Sequence, residues 1–220
     1  MVETGGRDTR ERIIEAAGEV FARKGFRRAT VRDICARAGV NVAMIKYHFG
    51  GKAGLYTAVL EHFRSVAGRR SRQIIDRAER EGPEARLKAF IRAQLEKLTG
   101  SGRPAWFDRL MSREVMDPTR ALDAIVETGV RPSAERLVGV VQELLGRDDR
   151  EPDLLYCCLS IVGQCLHHHY AKNVIARLYP GLAYGPGELD RLAEHITDFS
   201  LAGLAAHRKR HDAIEEYAAL

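Results

Sequence analysis

The chain of 220 residues is 45% hydrophobic and 30% charged, a composition that supplies a sizeable buried core and argues against extensive disorder. Its longest strongly apolar run, residues 154–166, is shorter than the roughly 18 residues that a membrane-spanning helix needs. The amino terminus has no apolar signal-peptide segment, and the four cysteines lie in helical patterns that suit no disulfide framework. We therefore expect a cytoplasmic protein that does not contact a membrane.

Positive charge is concentrated in the first quarter of the chain. Residues 1–52 contain 11 Lys or Arg and 6 Asp or Glu, a net charge of +5, which equals the formal net charge of the whole chain. The residues after position 52 are therefore neutral in sum. A basic amino-terminal part, called the head below, joined to a neutral carboxy-terminal part is typical of a protein that binds phosphates through its head. A run of charges can also be an ordinary solvated helix face.

The whole chain is predicted to be helical, because apolar residues recur at spacings of three and four and no stretch shows sustained alternation. The first helix is predicted over residues 9–24, with Asp8 and Glu11 as a capping box and Gly25 as its end. The buried stripe of this helix is predicted to consist of Ile13, Ile14, Ala17, Val20 and Phe21.

Two short helices are predicted next, over residues 31–38 and 42–49. Thr30 is the expected cap of the first, with Asp33 three residues later, and Asn41 is the expected cap of the second. A turn of about three residues between two short helices forces them to cross at a steep angle. This arrangement is a helix-turn-helix.

The second of these helices carries polar side chains where a core helix would carry leucine. Lys46, Tyr47 and His48 are expected to point outward, because the second helix of such a module lies in the major groove of DNA. Without its context, the Tyr-His pair next to Phe49 would be interpreted as an ordinary half-buried amphipathic patch. The coincidence of caps, small-residue turn, basic flank and polar face favours DNA binding.

The rest of the chain is predicted to form longer helices. One helix over residues 52–81, ended by Gly82 and Pro83, would connect the head to the body. Shorter helices bounded by Gly or Pro are predicted at 84–98, 104–115, 118–130 and 132–145.

The middle helices offer side chains for a small-molecule site. We expect the apolar and charged helix that starts at residue 104 to face the polar stretch near residue 165 across an apolar cavity. The predicted effector-binding residues are Trp106, Phe107, Met111, Arg113, Glu114, Gln164, Cys165 and His168. Two alternatives stay open, because the apolar members are equally suited to a core and Arg113 to a buried ion pair.

Two late helices, predicted over residues 153–178 and 187–208, are candidates for a subunit interface. The first is apolar nearly all round in its first half, which indicates cover on both sides. Two such helices from each of two chains would form a four-helix interface, so we expect a homodimer. Cys165, His168 and His169 share a helical face and could hold zinc, but the segment lacks a fourth ligand, and we expect no metal and no cofactor.

Enzyme chemistry is not indicated by the sequence. The chain contains no recognisable nucleophile-base constellation, no phosphate-binding glycine loop and no paired catalytic carboxylates. We therefore expect a protein that is not an enzyme.

Residues 9–56, TRERIIEAAGEVFARKGFRRATVRDICARAGVNVAMIKYHFGGKAGLY, resemble the DNA-binding domain of the TetR family of bacterial transcription regulators. The strings NVA at 41–43, YHFGGK at 47–52 and SREVMDP at 112–118 resemble more narrowly the CecR-like branch. The expected fold is all-α, with an amino-terminal three-helix helix-turn-helix domain at 1–51. A larger helical domain for ligand binding and dimerisation is expected at 52–220.

The resemblance also implies which residues meet DNA. They are Thr30, Asn41, Ala43, Met44, Lys46, Tyr47, His48 and Lys52. Thr30 and Lys52 match phosphate contacts, Tyr47 and His48 match a backbone-contacting aromatic pair, and the residues that open the third helix match its groove-entering end. Position 46 departs from the commonest family pattern, which has an aromatic or apolar residue there, so Lys46 could reach a guanine or a phosphate.

The implied function is that of a dimeric, ligand-responsive transcription regulator. We expect its partners to be a palindromic operator in double-stranded DNA, a small-molecule effector and a second copy of the chain. Effector binding is expected to release a repressor from the operator. An activator or dual regulator with the same head stays open, because the direction of control depends on where the operator lies.

Overall fold

The computed structural model describes residues 3–99, 104–146, 152–182 and 186–218. These residues form helices and turns without a strand, which confirms the all-α prediction. The helices are α1 (Glu3–Arg28), α2 (Val31–Ala38), α3 (Val42–Phe49), α4 (Lys52–Ala78), α5 (Pro83–Thr99), α6 (Ala105–Met116), α7 (Ala121–Ile125), α8 (Arg131–Leu145), α9 (Pro152–Tyr170), α10 (Lys172–Leu178) and α11 (Pro186–Ala218). A π-helical segment, Val126–Val130, joins α7 to α8. Within these helices, no stretch is long and apolar enough to cross a membrane.

Some helix boundaries differ from those that the sequence pattern predicts. α1 begins at Glu3, so Asp8 lies inside the helix and not at its cap. Gly25 interrupts α1 with a φ of 75° and a ψ of 165°, but helical structure resumes after it. The helix predicted over residues 153–178 is divided at Ala171 into α9 and α10. No Gly or Pro marks this division, so the turn signals of the sequence do not reveal it.

The described residues fall into two compact units. Unit 1 consists of Met1–Val66 with Gly102–Arg131, and unit 2 of Ala67–Ser101 with Pro132–Leu220. These units group residues by spatial contact and divide α4 between them. The functional boundary expected between residues 51 and 52 stays a prediction.

Unit 1 is built around α1, against which α2 and α6 pack. The predicted stripe of α1 is buried, with each member at most 1% exposed: Ile13, Ile14, Ala17, Val20 and Phe21. On α6, the ring of Trp106 lies so close to Gly18 that a Cβ there would be 1.9 Å from its Cη2 atom. The same ring meets Phe63 edge-to-face with 4.8 Å between the centroids. Only glycine at position 18 allows this approach.

Unit 2 has its own apolar core, supplied by α5, α8, α9 and α11. A polar network accompanies this core on α5, where the Glu96 carboxylate is 8% exposed. Arg70 lies 3.3 Å and Arg92 2.9 Å from its oxygens. Arg92 also forms an ion pair with Asp190 of α11. A buried carboxylate needs such partners, because an unpaired buried charge is strongly destabilising.

The close approach at Gly18 gives a prediction about stability. Gly18→Ala adds a methyl group where the Trp106 ring lies, so the ring must shift and lose its contact with Phe63. We expect the free energy of unfolding, measured by urea denaturation, to fall by about 1–3 kcal/mol. The control is Gly139→Ala in α8, where a Cβ would meet nothing within 4 Å. That change should leave stability unchanged or raise it by up to about 1 kcal/mol, because alanine favours helix.

Equal effects of the two substitutions, or a stabilised Gly18→Ala protein, would show that Gly18 is not required by packing.

Candidate nucleic-acid interface

The turn between α2 and α3 is shaped by side-chain caps and one glycine. The Asp33 amide donates to Thr30 Oγ1 at 3.1 Å and the Thr30 amide donates to Asp33 Oδ2 at 3.2 Å, which completes the predicted capping box. Gly39 ends α2 with a φ of 65°, the left-handed conformation that glycine adopts without strain. Asn41 caps α3 by accepting the Ala43 amide at 3.0 Å. These local contacts fix where α3 begins.

Apolar residues wedge the two short helices together. Ile34, Ala38 and Ile45 are buried, and Val40 packs against the same core. Burying one face of α3 leaves its other face directed to solvent.

Polar contacts fix α2 on α1. Arg12 Nη2 donates to the carbonyl of Ala38 at 2.8 Å. Lys24 Nζ lies 2.8 Å from Asp33 Oδ2, and Arg37 forms an ion pair with Glu19. The Lys24 ion pair and the hydrogen bonds of Thr30 hold the pKa of Asp33 at about 2, below its ordinary value of 3.8. The helix-turn-helix is thus held on α1 by charge as well as by apolar burial.

The turn between α3 and α4 consists of two glycines. Gly50 has a φ of 70° and Gly51 a φ of 133°, both in the region that favours glycine. At Gly54, a Cβ would lie 2.0 Å from the Phe49 carbonyl oxygen. Three glycines therefore let the start of α4 approach the end of α3. This role of Gly54 was not predicted, although a glycine in the first turn of α4 is a visible signal in the sequence.

The outward face of α3 contains several of the predicted DNA-binding residues. Tyr47 is 82% exposed, and Ala43 and Lys46 are also exposed. Met44 is half-buried and packs against the core of unit 1. The Tyr47 and His48 rings lie edge-to-face with centroids 4.9 Å apart. A broad polar and aromatic surface results.

Two of the predicted DNA contacts, Lys52 and His48, are directed toward the protein. Lys52 Nζ donates to the Arg27 carbonyl at 3.3 Å and lies 4.7 Å from the centroid of the Phe26 ring. The Nε2 atom of His48 is buried and has no hydrogen-bond partner in the described part of the chain. In this rotamer, that atom cannot reach a duplex.

The predicted effector-binding residues are distributed over both units. Trp106, Phe107, Met111, Arg113 and Glu114 belong to unit 1, and Gln164, Cys165 and His168 to unit 2. A single pocket shared by all eight stays a prediction. Phe107 is 3% exposed and takes part in the aromatic cluster of the core.

Glu114 is the most enclosed charged side chain of α6, with 1% exposure. Tyr56 Oη donates to Glu114 Oε2 at 2.6 Å. The amide and hydroxyl of Thr119 donate to Glu114 Oε1 at 2.8 and 2.9 Å. Burial and the hydrogen bond to Glu114 raise the pKa of Tyr56. Both carboxylate oxygens are therefore satisfied by the protein itself, whereas the neighbouring Arg113 is exposed.

The residues from unit 2 lie along α9. Gln164 Nε2 donates to Ser200 Oγ of α11 at 3.4 Å. Burial raises the pKa of the Cys165 thiol to about 12. Burial, followed by electrostatic interaction with His167 and His195, lowers the pKa of His168. Among the described residues, no group of three or more His, Cys, Asp or Glu side chains is placed to hold a metal ion.

One face of α9 and α11 exposes large apolar side chains. Tyr156 is 62%, Leu159 65% and Phe199 66% exposed. The opposite face of α9 is buried in the core of unit 2 through Leu154, Cys157 and Ile161. The sequence predicts that both faces of α9 are buried. Within the single chain, only one face is buried.

Two family descriptions match the chain. Residues 13–59 match "Bacterial regulatory proteins, tetR family". Residues 83–204 match "HTH-type transcriptional dual regulator CecR, C-terminal domain", which is more than half of the chain.

Individual proteins agree with these matches. The HTH-type transcriptional dual regulator CecR of Shigella flexneri is 26% identical over 211 residues, which span 91% of this chain and 94% of that protein. The HTH-type transcriptional repressor NicS of Pseudomonas putida is 37% identical over 84 residues, 38% of this chain and 40% of that protein. A solved structure from Pseudomonas aeruginosa PAO1 has a TM-score of 0.62 at 28% identity and covers 91% of this chain and 92% of that chain.

The depressed pKa of Asp33 predicts a pH dependence of stability. A carboxyl group whose pKa is lower in the folded protein stabilises it above its ordinary pKa, and this stabilisation is lost as the pH falls from 3.8 toward about 2. Asp33→Asn should therefore lower the free energy of unfolding at pH 6 and reduce its decline between pH 4 and pH 2. The measurement is urea denaturation at a series of pH values.

The control for this experiment is Asp212→Asn, which removes an exposed carboxylate from α11. If the two variants gave superimposable pH profiles, the Asp33 ion pair would contribute nothing to folding.

Proposed function

Because the chain belongs to the TetR family of bacterial transcription regulators and contains a CecR-type carboxy-terminal domain, we propose that it binds operator DNA as a homodimer. A small molecule controls its affinity for that DNA. Repression that ends when the effector binds is the proposed direction of control. Activation is the second candidate, since the relative from Shigella flexneri is named a dual regulator.

The observation that carries the proposal is the outward face of α3. Tyr47 is 82% exposed beside the exposed Lys46, while Ile45 on the opposite face is 1% exposed. A polar face opposite a buried one suits a recognition helix that enters a major groove. We assign Asn41, Ala43, Met44 and Lys46 to the groove, where a good base contact is worth about 1–3 kcal/mol.

Phosphate contacts are assigned to the flanks of this helix. Thr30 lies at the amino terminus of α2, where the helix dipole favours anions, and Lys52 lies at the amino terminus of α4. Tyr47 and His48 complete the proposed backbone contacts. Since Lys52 Nζ donates to the Arg27 carbonyl, contact with a phosphate requires it to share or exchange that partner.

A single head of this size would bind weakly, and we infer that dimerisation supplies the missing affinity. Two recognition helices on a symmetric dimer meet half-sites about one helical turn apart, which explains a palindromic operator. The exposed apolar face formed by Tyr156, Leu159 and Phe199 supports α9 and α11 as the interface. Large apolar patches on a single chain are typical of protein-protein contacts.

Effector control is proposed to act through α6, which packs on α1. A ligand changes operator affinity only by binding two conformations of the protein unequally. α6 contacts α1 at Gly18 and Gly25 and contacts α4 at Tyr56. A movement of α6 would therefore displace α1, the helix against which the helix-turn-helix packs.

The division between phosphate and base contacts predicts different effects of two lysine substitutions. Lys52→Ala should weaken binding to every duplex and reduce the slope of log affinity against log salt by about one. Lys46→Gln should instead change which operator sequence is preferred. Selection from randomised duplexes, with binding measured at several salt concentrations, distinguishes the two effects.

Lys209→Ala in α11 is the matched control, because it removes an exposed positive charge without touching the head. Uniform loss on all sequences for both Lys46→Gln and Lys52→Ala would contradict the proposed roles.

The proposed interface predicts that Leu159→Asp produces a monomer. A carboxylate at a buried interface position is strongly unfavourable, so sedimentation at micromolar concentration should show the mass of one chain and operator affinity should fall. Val174→Asp in α10 is the control, since Val174 is similarly exposed, at 57%, but lies outside α9 and α11. An unchanged dimer in Leu159→Asp would exclude this face as the interface.

A further inference from the structure

A cleft of about 800 Å³ opens in unit 1 between the carboxy-terminal ends of α1 and α6. Its floor is apolar and includes Phe26, Tyr56 and Leu110. Tyr56 is 3% and Leu110 0% exposed, so these side chains are fixed by packing. The volume lies in the range of small-molecule sites, which is about 300–1,000 Å³.

The backbone at Gly25 and the two neighbouring charges of α6 shape this cleft. Gly25 leaves the helical conformation, with a φ of 75°, and a Cβ there would lie 3.1 Å from Arg113 Nη1. The guanidinium of Arg113 therefore reaches across to α1. The Glu114 side chain points into the protein and accepts hydrogen bonds from Tyr56 and Thr119. Of these two neighbouring charges, only the positive charge of Arg113 faces the cleft.

Most of the charged groups that line the cleft are positive. Lys24 is paired with Asp33 at 2.8 Å. Arg27 lies 3.6 Å from Asp117, but both side chains are largely exposed, so this pair is weak.

Three other guanidinium groups line the cleft: Arg23, Arg28 and Arg113. Within the described part of the chain, none of them forms an ion pair or a hydrogen bond to a side chain. These three guanidinium groups make the cleft positively charged. A cleft with this charge and an apolar floor favours an anionic ligand that also has an apolar part.

We propose that this cleft binds a small amphipathic carboxylate. The carboxylate is held by Arg113 together with Arg23 or Arg28, because a guanidinium matches a carboxylate with two parallel hydrogen bonds. The apolar part of the ligand lies against the half-buried Phe26, beneath which Tyr56 and Leu110 form the packed base of the cleft. A nucleic-acid phosphodiester would use the same cations but would leave this apolar floor uncovered.

The position of the cleft connects it to the DNA-binding head, a step that rests on the proposed function. Arg27 lines the cleft, and its carbonyl accepts the hydrogen bond of Lys52. Thr30, the cap of α2, follows two residues after Arg28. A ligand that draws the end of α1 toward α6 changes both phosphate-contacting elements at once, and it lowers operator affinity.

Calorimetric titration of the full chain with three probes tests the site directly. Decanoate carries both the charge and the apolar chain, acetate the charge alone, and 1-decanol the chain alone. We expect decanoate to bind saturably at one site per chain, at least about tenfold more tightly than either other probe. Arg113→Gln should weaken decanoate at least about tenfold by removing a charge-assisted pair.

Arg109→Gln is the matched control, because Arg109 is exposed one turn earlier on α6 and does not line the cleft. It should leave decanoate affinity unchanged. Equal binding of decanoate and 1-decanol, absence of saturable binding, or equal effects of the two substitutions would overturn the proposal.

Duplex binding, measured in parallel, separates this proposal from the proposed function. Decanoate should weaken operator binding by the wild-type chain, and the same effect on Arg113→Gln should need at least about tenfold more decanoate. If the chain bound decanoate as expected but ignored DNA, the cleft would stand and the regulatory role would fall. If Arg113→Gln lost duplex affinity without decanoate and showed no preference for carboxylates, the cations would be DNA contacts and the cleft proposal would fail.

Discussion

The structure of the head depends on α1 being held between two neighbours. On one side, α2 is fixed to it by burial and by Arg12, Lys24 and Glu19. On another, α6 approaches so closely at Gly18 that no side chain fits there. Interiors packed to this density do not deform continuously. A displacement of α6 must therefore move α1 or break its packing, and this constraint makes α6 suited to transmit a signal.

The parts of this head that the sequence predicts are those with local signals. The capping box of Thr30 and Asp33, the Asn41 cap and the buried stripe of α1 are each specified within a few residues, and all are present. The pairing of Tyr56 with Glu114 joins residues 58 positions apart, and the approach of Trp106 to Gly18 is equally non-local. Neither contact leaves a periodic or turn signal in the sequence, because each arises from packing between helices.

Glu114 and Arg113 show how adjacent charges on one helix acquire opposite roles. Successive helical residues point about 100° apart, so the carboxylate enters the protein while the guanidinium reaches the cleft. Both residues are predicted from the sequence to bind an effector. The structure gives Glu114 three hydrogen bonds from Tyr56 and Thr119, which suits a structural group that positions α6 on α4. The carboxylate of Glu114 is therefore not available to a ligand bound in the cleft.

An anion in the cleft could affect DNA binding through its electric field or through contact geometry, and the second effect is the larger. At physiological ionic strength, exposed charges are screened beyond about 8 Å, and the side chains of Arg23, Arg28 and Arg113 are exposed. Neutralising them therefore has little electrostatic effect beyond that distance. The hydrogen bond from Lys52 to the Arg27 carbonyl is a direct connection of 3.3 Å, which salt does not screen. The position of the α1 end therefore affects where the lysine of α4 lies, and in the proposed mechanism a ligand acts on that position through α6.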